Sequence, residues 1–149
     1  MDRLGEWASL LERELHPRVQ LRVVGPGSDQ HPLGIRLTSS RLDIWRWMSR
    51  AMAVLDPIPQ RLIGRQVLEA FLYRVPVIVH GRGGASREHA EVGNGGLWFR
   101  TDEELCATIR ALLDDELGQL LGEQGCSYAQ GRFADTDTFI KNVAKVFLS

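Results

Sequence analysis

Glu69 is the acid whose surroundings ask for an explanation. It lies in the stretch RLIGRQVLEAFLYRVPVIVHGRGG (residues 61–84), where Val67, Leu68, Phe71 and Leu72 mark a short helix between two apolar runs. Two readings are open. A carboxylate on such a helix is ordinarily a solvated outer-face residue. Alternatively it is a ligand group, because a helix starting near Gly64 presents free N–H groups and partial positive charge, which suits a phosphate. At about 1.5 Å rise per residue, Glu69 then sits about 6 Å further along the axis, roughly the offset of a ribose from its phosphate. A carboxylate there accepts from both vicinal hydroxyls. The cations Arg61, Arg65, Arg74, Arg82 and Arg87 fall in or beside the same stretch, most of them expected to be solvated but together leaving a local anion site open. It ends on a loop, GRGGAS (Gly81–Ser86), whose Gly83 and Gly84 let a backbone approach a ligand closely.

Other chemistries fit less well. GPGSDQ and GRGGAS both lack the third glycine of a dinucleotide fingerprint, which argues against a dehydrogenase. His16, His31, His80 and His89 show no paired ligand spacing, so no metal is expected. His80 and His89 flank the Gly-rich loop, where capping and contact with a ligand both stay open. Asp56, before Pro57, reads as a turn residue. Cys106 and Cys126 fall in helical segments without metal-ligand spacing and read as packed thiols, which suits a reducing cytoplasm.

The elements that must position these residues alternate in type. Leu4, Trp7, Ala8, Leu11 and Leu15 recur at helical spacing up to His16-Pro17. RVQLRVVG (residues 18–25) and GIRLT (residues 34–38) read as strands, and RLDIWRWMSR (residues 41–50) as a helix with Trp45 or Trp47 turned inward. AMAVLDPIP (residues 51–59) and VPVIVH (residues 75–80) are apolar runs of the kind found in parallel sheets covered on both faces. With the helix from about Arg65 to Tyr73 between them they form a βαβ unit. A Gly-rich loop, a short segment EHAEV and a strand GGLWF (residues 95–99) follow. TDEE (residues 101–104) has the form of a capping box, leading into a stripe of Leu105, Cys106, Ile109, Leu112 and Leu113. A helix around Leu117–Ala129, broken by Gly122 and Gly125, and a last helix carrying Phe139, Ile140, Val143 and Phe147 complete the chain. The fold class is α/β: a three-layer, Rossmann-like parallel sheet with a C-terminal helical tail.

In such a sheet, ligands bind at the carboxyl ends of the strands. The GPG loop, Ser39–Arg41, Pro57–Gly64 and Gly81–Ser86 should meet there. The 149 residues are enough for one domain burying about two-thirds of the surface of its unfolded chain. A formal net charge of −1 gives no general reason to expect nucleic acid or an anionic membrane as partner. No apolar run approaches the roughly 20 residues a bilayer span needs, and the start carries no signal-peptide pattern. The expected location is cytoplasmic, with a peripheral place at a membrane left open.

VLEAFLYRVPVIVHGRGG, then GNGGLWF, a capped helix and LLDDELGQLLGEQGCSYAQGRF, resembles the C-terminal donor-binding domain of retaining GT-B glycosyltransferases, a group that includes glycogen synthases and mannosyltransferases. The resemblance runs from LRVVGPG to the C-terminus and is strongest from Val67 to Gly96. It implies a single nucleotide-sugar-binding domain over residues 1–149, lacking the usual first strand and the N-terminal acceptor domain. Transfer of a glycosyl group from a nucleotide diphosphate sugar to a hydroxyl acceptor is the implied reaction, with no cofactor or metal. The implied partners are the nucleotide sugar and a separate acceptor-binding chain or domain.

The family's Glu-x7-Glu motif puts its second acid, the ribose ligand, on Glu69 and its first on Arg61, where an arginine stands instead. Ile63, Gly64 and Arg65 fall at the loop that faces the donor, with Gly83 and Gly84 beside it. The family's glycine at the end of this helix is Arg74. These departures imply that the isolated chain does not turn over substrate, and they leave a second function open: a non-catalytic module of the same fold used for protein interaction, through an uncovered sheet edge or the Trp-rich segment.

Overall fold

The computed structural model describes residues 3–15, 17–19, 41–59 and 63–132. They belong to two compact units, Met1–Trp47 and Met48–Ser149. In the first unit, α1 (Arg3–Leu15) buries the stripe of Trp7, Ala8, Leu11 and Leu15 and exposes Glu12, Arg13 and Glu14. It stops at the turn containing Pro17, where the Arg18 N–H reaches the Leu15 carbonyl at 2.8 Å. Arg18 and Val19 are turn and coil. The remainder of the first expected strand, the whole of GIRLT and the final helix lie outside the described residues. In α2 (Arg41–Met48), whose last residue opens the second unit, Trp45 and Trp47 are both half-buried, so neither is the single inward anchor expected. Met48 is buried.

The second unit is built on three parallel strands in the order β1 (Val54–Asp56), β2 (Val77–His80), β3 (Gly96–Phe99). Val54 pairs with Val77 and Val77 with Gly96, so the three carboxyl ends, Asp56, His80 and Phe99, line up along one edge. Val77, Ile78 and Val79 of the central strand are at most 2 % exposed. That explains an uninterrupted apolar run with no inside–outside alternation.

Each strand is shorter than its apolar run. β1 does not extend into the flanking Ala51–Ala53 or Pro57–Pro59. Pro57 and Pro59 have no N–H for a ladder. Val75 and Gly95 do not open their strands because they close the preceding helices.

Both closures have the same geometry. After α3 (Arg65–Leu72), the Val75 N–H bonds the Ala70 carbonyl at 2.9 Å and the Arg74 N–H bonds Phe71 at 3.0 Å. Arg74 takes the left-handed conformation, φ 57°. After α4 (Ala85–Val92), Gly95 bonds Ala90 at 3.1 Å, Asn94 bonds Glu91 at 3.2 Å, and Asn94 has φ 48°. These are Schellman motifs in which an arginine and an asparagine stand where glycine is the easy choice.

α5 (Asp102–Leu112) begins at Thr101, whose hydroxyl accepts the Glu104 N–H at 3.1 Å. The Glu104 carboxylate reaches back one residue beyond the cap to the Arg100 N–H at 2.6 Å. The expected stripe is buried except for Leu113, which is half-buried.

α6 (Asp115–Arg132) runs through Gly122 and Gly125 without a break. The glycines are contact points instead. A Cβ on Gly122 would lie 2.1 Å from the Arg74 carbonyl oxygen, and one on Gly125 2.4 Å from the Phe71 ring. Their absence lets α6 lie directly on α3, with Tyr128 edge-on to Phe71 at 6.2 Å.

Candidate functional site

The candidate site is the carboxyl edge of the sheet, where β1 leads to α3 and β2 leads to α4. Gly64 caps α3 in the left-handed conformation, φ 67° and ψ 38°. Val67 and Leu68 both donate to its carbonyl, at 3.1 and 3.3 Å. Gly84 precedes α4 with φ 59° and ψ −123°, a region open in practice only to glycine. α4 therefore starts at Ala85, and the expected short segment EHAEV is the end of a full helix that takes Ala85 and Ser86 from the loop.

The two helix starts touch. A Cβ on Gly64 would be 3.0 Å from the Ser86 N and 3.1 Å from His89 Cδ2. Asp56, at the tip of β1, is 2 % exposed, and its Oδ2 accepts the hydroxyl of Ser86 at 2.6 Å. Its expected role as a turn residue is thereby corrected: it is the last residue of β1, a buried carboxyl group that ties the strand to the first turn of α4. A buried carboxyl group needs such a hydrogen bond, since burying a polar group without one costs several kcal/mol.

His89 does the same from further along α4. Its Nε2 lies 3.2 Å from the Ile63 carbonyl oxygen and its Nδ1 2.9 Å from the Tyr128 hydroxyl. His80 is turned back on its own loop, where Nδ1 accepts the Arg82 N–H at 3.0 Å and the ring meets Phe99 edge-on at 5.5 Å.

Glu69 is 2 % exposed. The solvated outer-face reading is overturned, because α3 is covered by α4, α6 and the strands, with Val67, Leu68, Ala70 and Phe71 buried beside it. Its charge reaches Tyr73, one turn on: the Tyr73 hydroxyl, on a residue that is 41 % exposed, is held above its ordinary 10.0 first by its partial burial and second by the nearby Glu69 carboxylate.

Of the other residues singled out from the sequence, Ile63 is exposed, Gly64 is buried and Arg65 is half-buried at the head of α3. Gly83 is buried and Gly84 exposed at the head of α4. The structure thus brings Ile63 and Gly64 against the first turns of α4. Arg61 lies outside the described residues.

Arg82 is exposed, whereas Arg87 is held by the Gly81 carbonyl at 3.0 Å, by Glu91 at 3.7 Å and by the Trp98 ring at 4.8 Å. A shallow concavity of about 410 Å³ runs along the outer side of α4, lined by Arg82, Arg87, Glu88, Glu91 and Val92 with Gly81 and Gly84. It includes neither Gly64 nor Glu69. Among the described residues no three His, Cys, Asp or Glu side chains gather into a metal-binding group, and no helix is long and apolar enough to cross a membrane.

The partners of Asp56 and His89 were not legible in the sequence, because they are remote in the chain. Ser86 is 30 residues from Asp56, and Ile63 and Tyr128 are 26 and 39 residues from His89.

The fold is similar to that in the crystal structure of WaaG, a glycosyltransferase involved in lipopolysaccharide biosynthesis, with a TM-score of 0.70 and 24 % identity. That similarity covers 87 % of this chain and 38 % of the WaaG chain, so the chain spans well under half of that relative's length. No curated protein matches the sequence. The parallel sheet with flanking helices is that of a GT-B glycosyltransferase domain. A family model described as glycosyl transferases group 1 matches residues 3–115, well over half of the sequence, and the chain belongs to that family.

Proposed function

We propose that the chain is the donor-binding half of a retaining glycosyltransferase, taking a nucleotide diphosphate sugar and serving an acceptor hydroxyl bound by another domain or chain. The observation that carries this reading is Glu69: in a glycosyl transferases group 1 chain, it is a buried carboxylate one turn past the Gly64 cap of the helix that follows β1. In this reading, the amides at the head of α3 take the diphosphate, and Glu69 accepts from the ribose hydroxyls. At 2 % exposure the carboxylate must be uncovered for a ribose to reach it, so donor binding includes a local rearrangement.

In the reaction the bond between the anomeric carbon and the diphosphate oxygen breaks, a bond to the acceptor oxygen forms, and the acceptor proton leaves with the diphosphate. Helix-end amides and arginines stabilise the charge that develops on the leaving group. Arg61, in place of the family's first acid, supplies charge there rather than a carboxylate at the sugar, with Arg65 and Arg82 as further cations. Ile63, Gly83 and Gly84 act through their backbone. No metal or cofactor is required in this scheme. The fragment of chemistry assigned to this chain is donor binding, and turnover needs the acceptor-binding partner.

Calorimetric titration of the full chain with UDP, GDP and ADP tests the reading. One of them is expected to bind, and Glu69→Ala should weaken it at least tenfold, the effect of losing hydrogen bonds to a charged acceptor. Equal affinities of the two proteins would remove Glu69 from the site. Absence of binding, together with concentration-dependent self-association, would favour the non-catalytic interaction module.

A further inference from the structure

The imidazole of His89 belongs to α4, yet one of its nitrogens is spent on the backbone just before α3. A carbonyl oxygen accepts only, so the 3.2 Å contact requires Nε2–H to donate to Ile63. The other nitrogen, 2.9 Å from the Tyr128 hydroxyl, is then anchored to α6. The ring also borders Gly64, where an added Cβ would lie 3.1 Å from Cδ2.

A trans peptide points its C=O and N–H in opposite directions. Holding the Ile63 carbonyl toward His89 therefore turns the Gly64 N–H away from α4. Gly64 is left-handed and the residues after it are right-handed helix, the sequence of conformations in which successive N–H groups converge into an anion-binding concavity.

We propose that His89 is a positioning residue of the donor site: its Nε2–H fixes the Ile63–Gly64 peptide so that the Gly64 amide is aimed at the diphosphate of a nucleotide. The inference rests on the donor reading above and adds a residue to it that touches no substrate. Without the clamp the peptide is free to rotate, and the amide is aligned with the anion for only part of the time.

The two nitrogens separate by substitution. His89→Gln keeps a donor near the place of Nε2, and His89→Asn keeps a group near Nδ1 only. Calorimetry with whichever of UDP, GDP and ADP binds the full chain should give near-native affinity for His89→Gln and about tenfold weaker binding for His89→Asn, the loss of one oriented donor to a charged group. In the unaltered protein, the Gly64 amide resonance in a ¹⁵N-correlated spectrum should move downfield as the diphosphate is added, a readout that does not depend on either variant folding.

A Gly64 resonance that stays in place while the nucleotide binds, or equal affinities for the glutamine and asparagine variants, would overturn the clamp and leave the donor reading standing. Failure of the unaltered chain to bind any of the three diphosphates would overturn both.

Discussion

Tyr73 reports on Glu69 without any ligand. Its folded-state pKa lies above the ordinary 10.0, with burial as the larger cause and the Glu69 charge as the second. Raised in this direction, the phenol's contribution to stability is whole below pH 10 and is lost as pH rises through the folded value. The absorbance titration of the unaltered chain minus that of Tyr73→Phe isolates this group. Glu69→Gln should lower the midpoint without returning it to 10, because the partial burial remains. An unmoved midpoint would mean that the carboxylate is not beside the phenol.

Arg74 gives a second prediction at the same scale. A side chain at φ 57° costs about 1 kcal/mol relative to glycine. Arg74→Gly should therefore raise stability by roughly that amount in urea denaturation, and Asn94→Gly by only ~0.3 kcal/mol, since asparagine tolerates the conformation better. Arg74 was legible in the sequence as a residue standing in a glycine's place. The buried states of Asp56 and Glu69 were not, because spacing along one helix or one strand does not reveal which other elements cover it.

At the scale of the element, period and punctuation located α1, α2, α3, α5 and all three described strands, and misjudged their ends where a helix-closing motif used the first residue of an apolar run. The glycines of α6 were the larger misreading. Two opposing terms decide each one: an alanine gains up to about 1 kcal/mol in helix propensity, and overpacking costs typically about 1–3 kcal/mol. At Gly122 the new methyl meets the Arg74 backbone at 2.1 Å, so the clash wins and Gly122→Ala should destabilise. At Gly118 the nearest atom is the Leu112 carbonyl oxygen at 4.0 Å, so Gly118→Ala should stabilise by up to about 1 kcal/mol. Thermal melts of the two variants should shift in opposite directions. Helix-breaking propensity alone predicts gains at both, and no sequence pattern distinguishes them because the difference lies in what α6 rests on.

For the whole molecule, the order of strands and helices was enough to read a parallel α/β sheet, and the family match agrees with that fold. The central claim is narrower: the carboxylate at position 69 holds the ribose of a donor nucleotide. The most direct measurement is a thermodynamic cycle comparing the binding of a ribonucleoside diphosphate and its 2′-deoxy counterpart to the unaltered chain and to Glu69→Ala. The unaltered chain should prefer the ribonucleotide by about tenfold, and Glu69→Ala should bind the two alike. The same preference in both proteins would contradict the account.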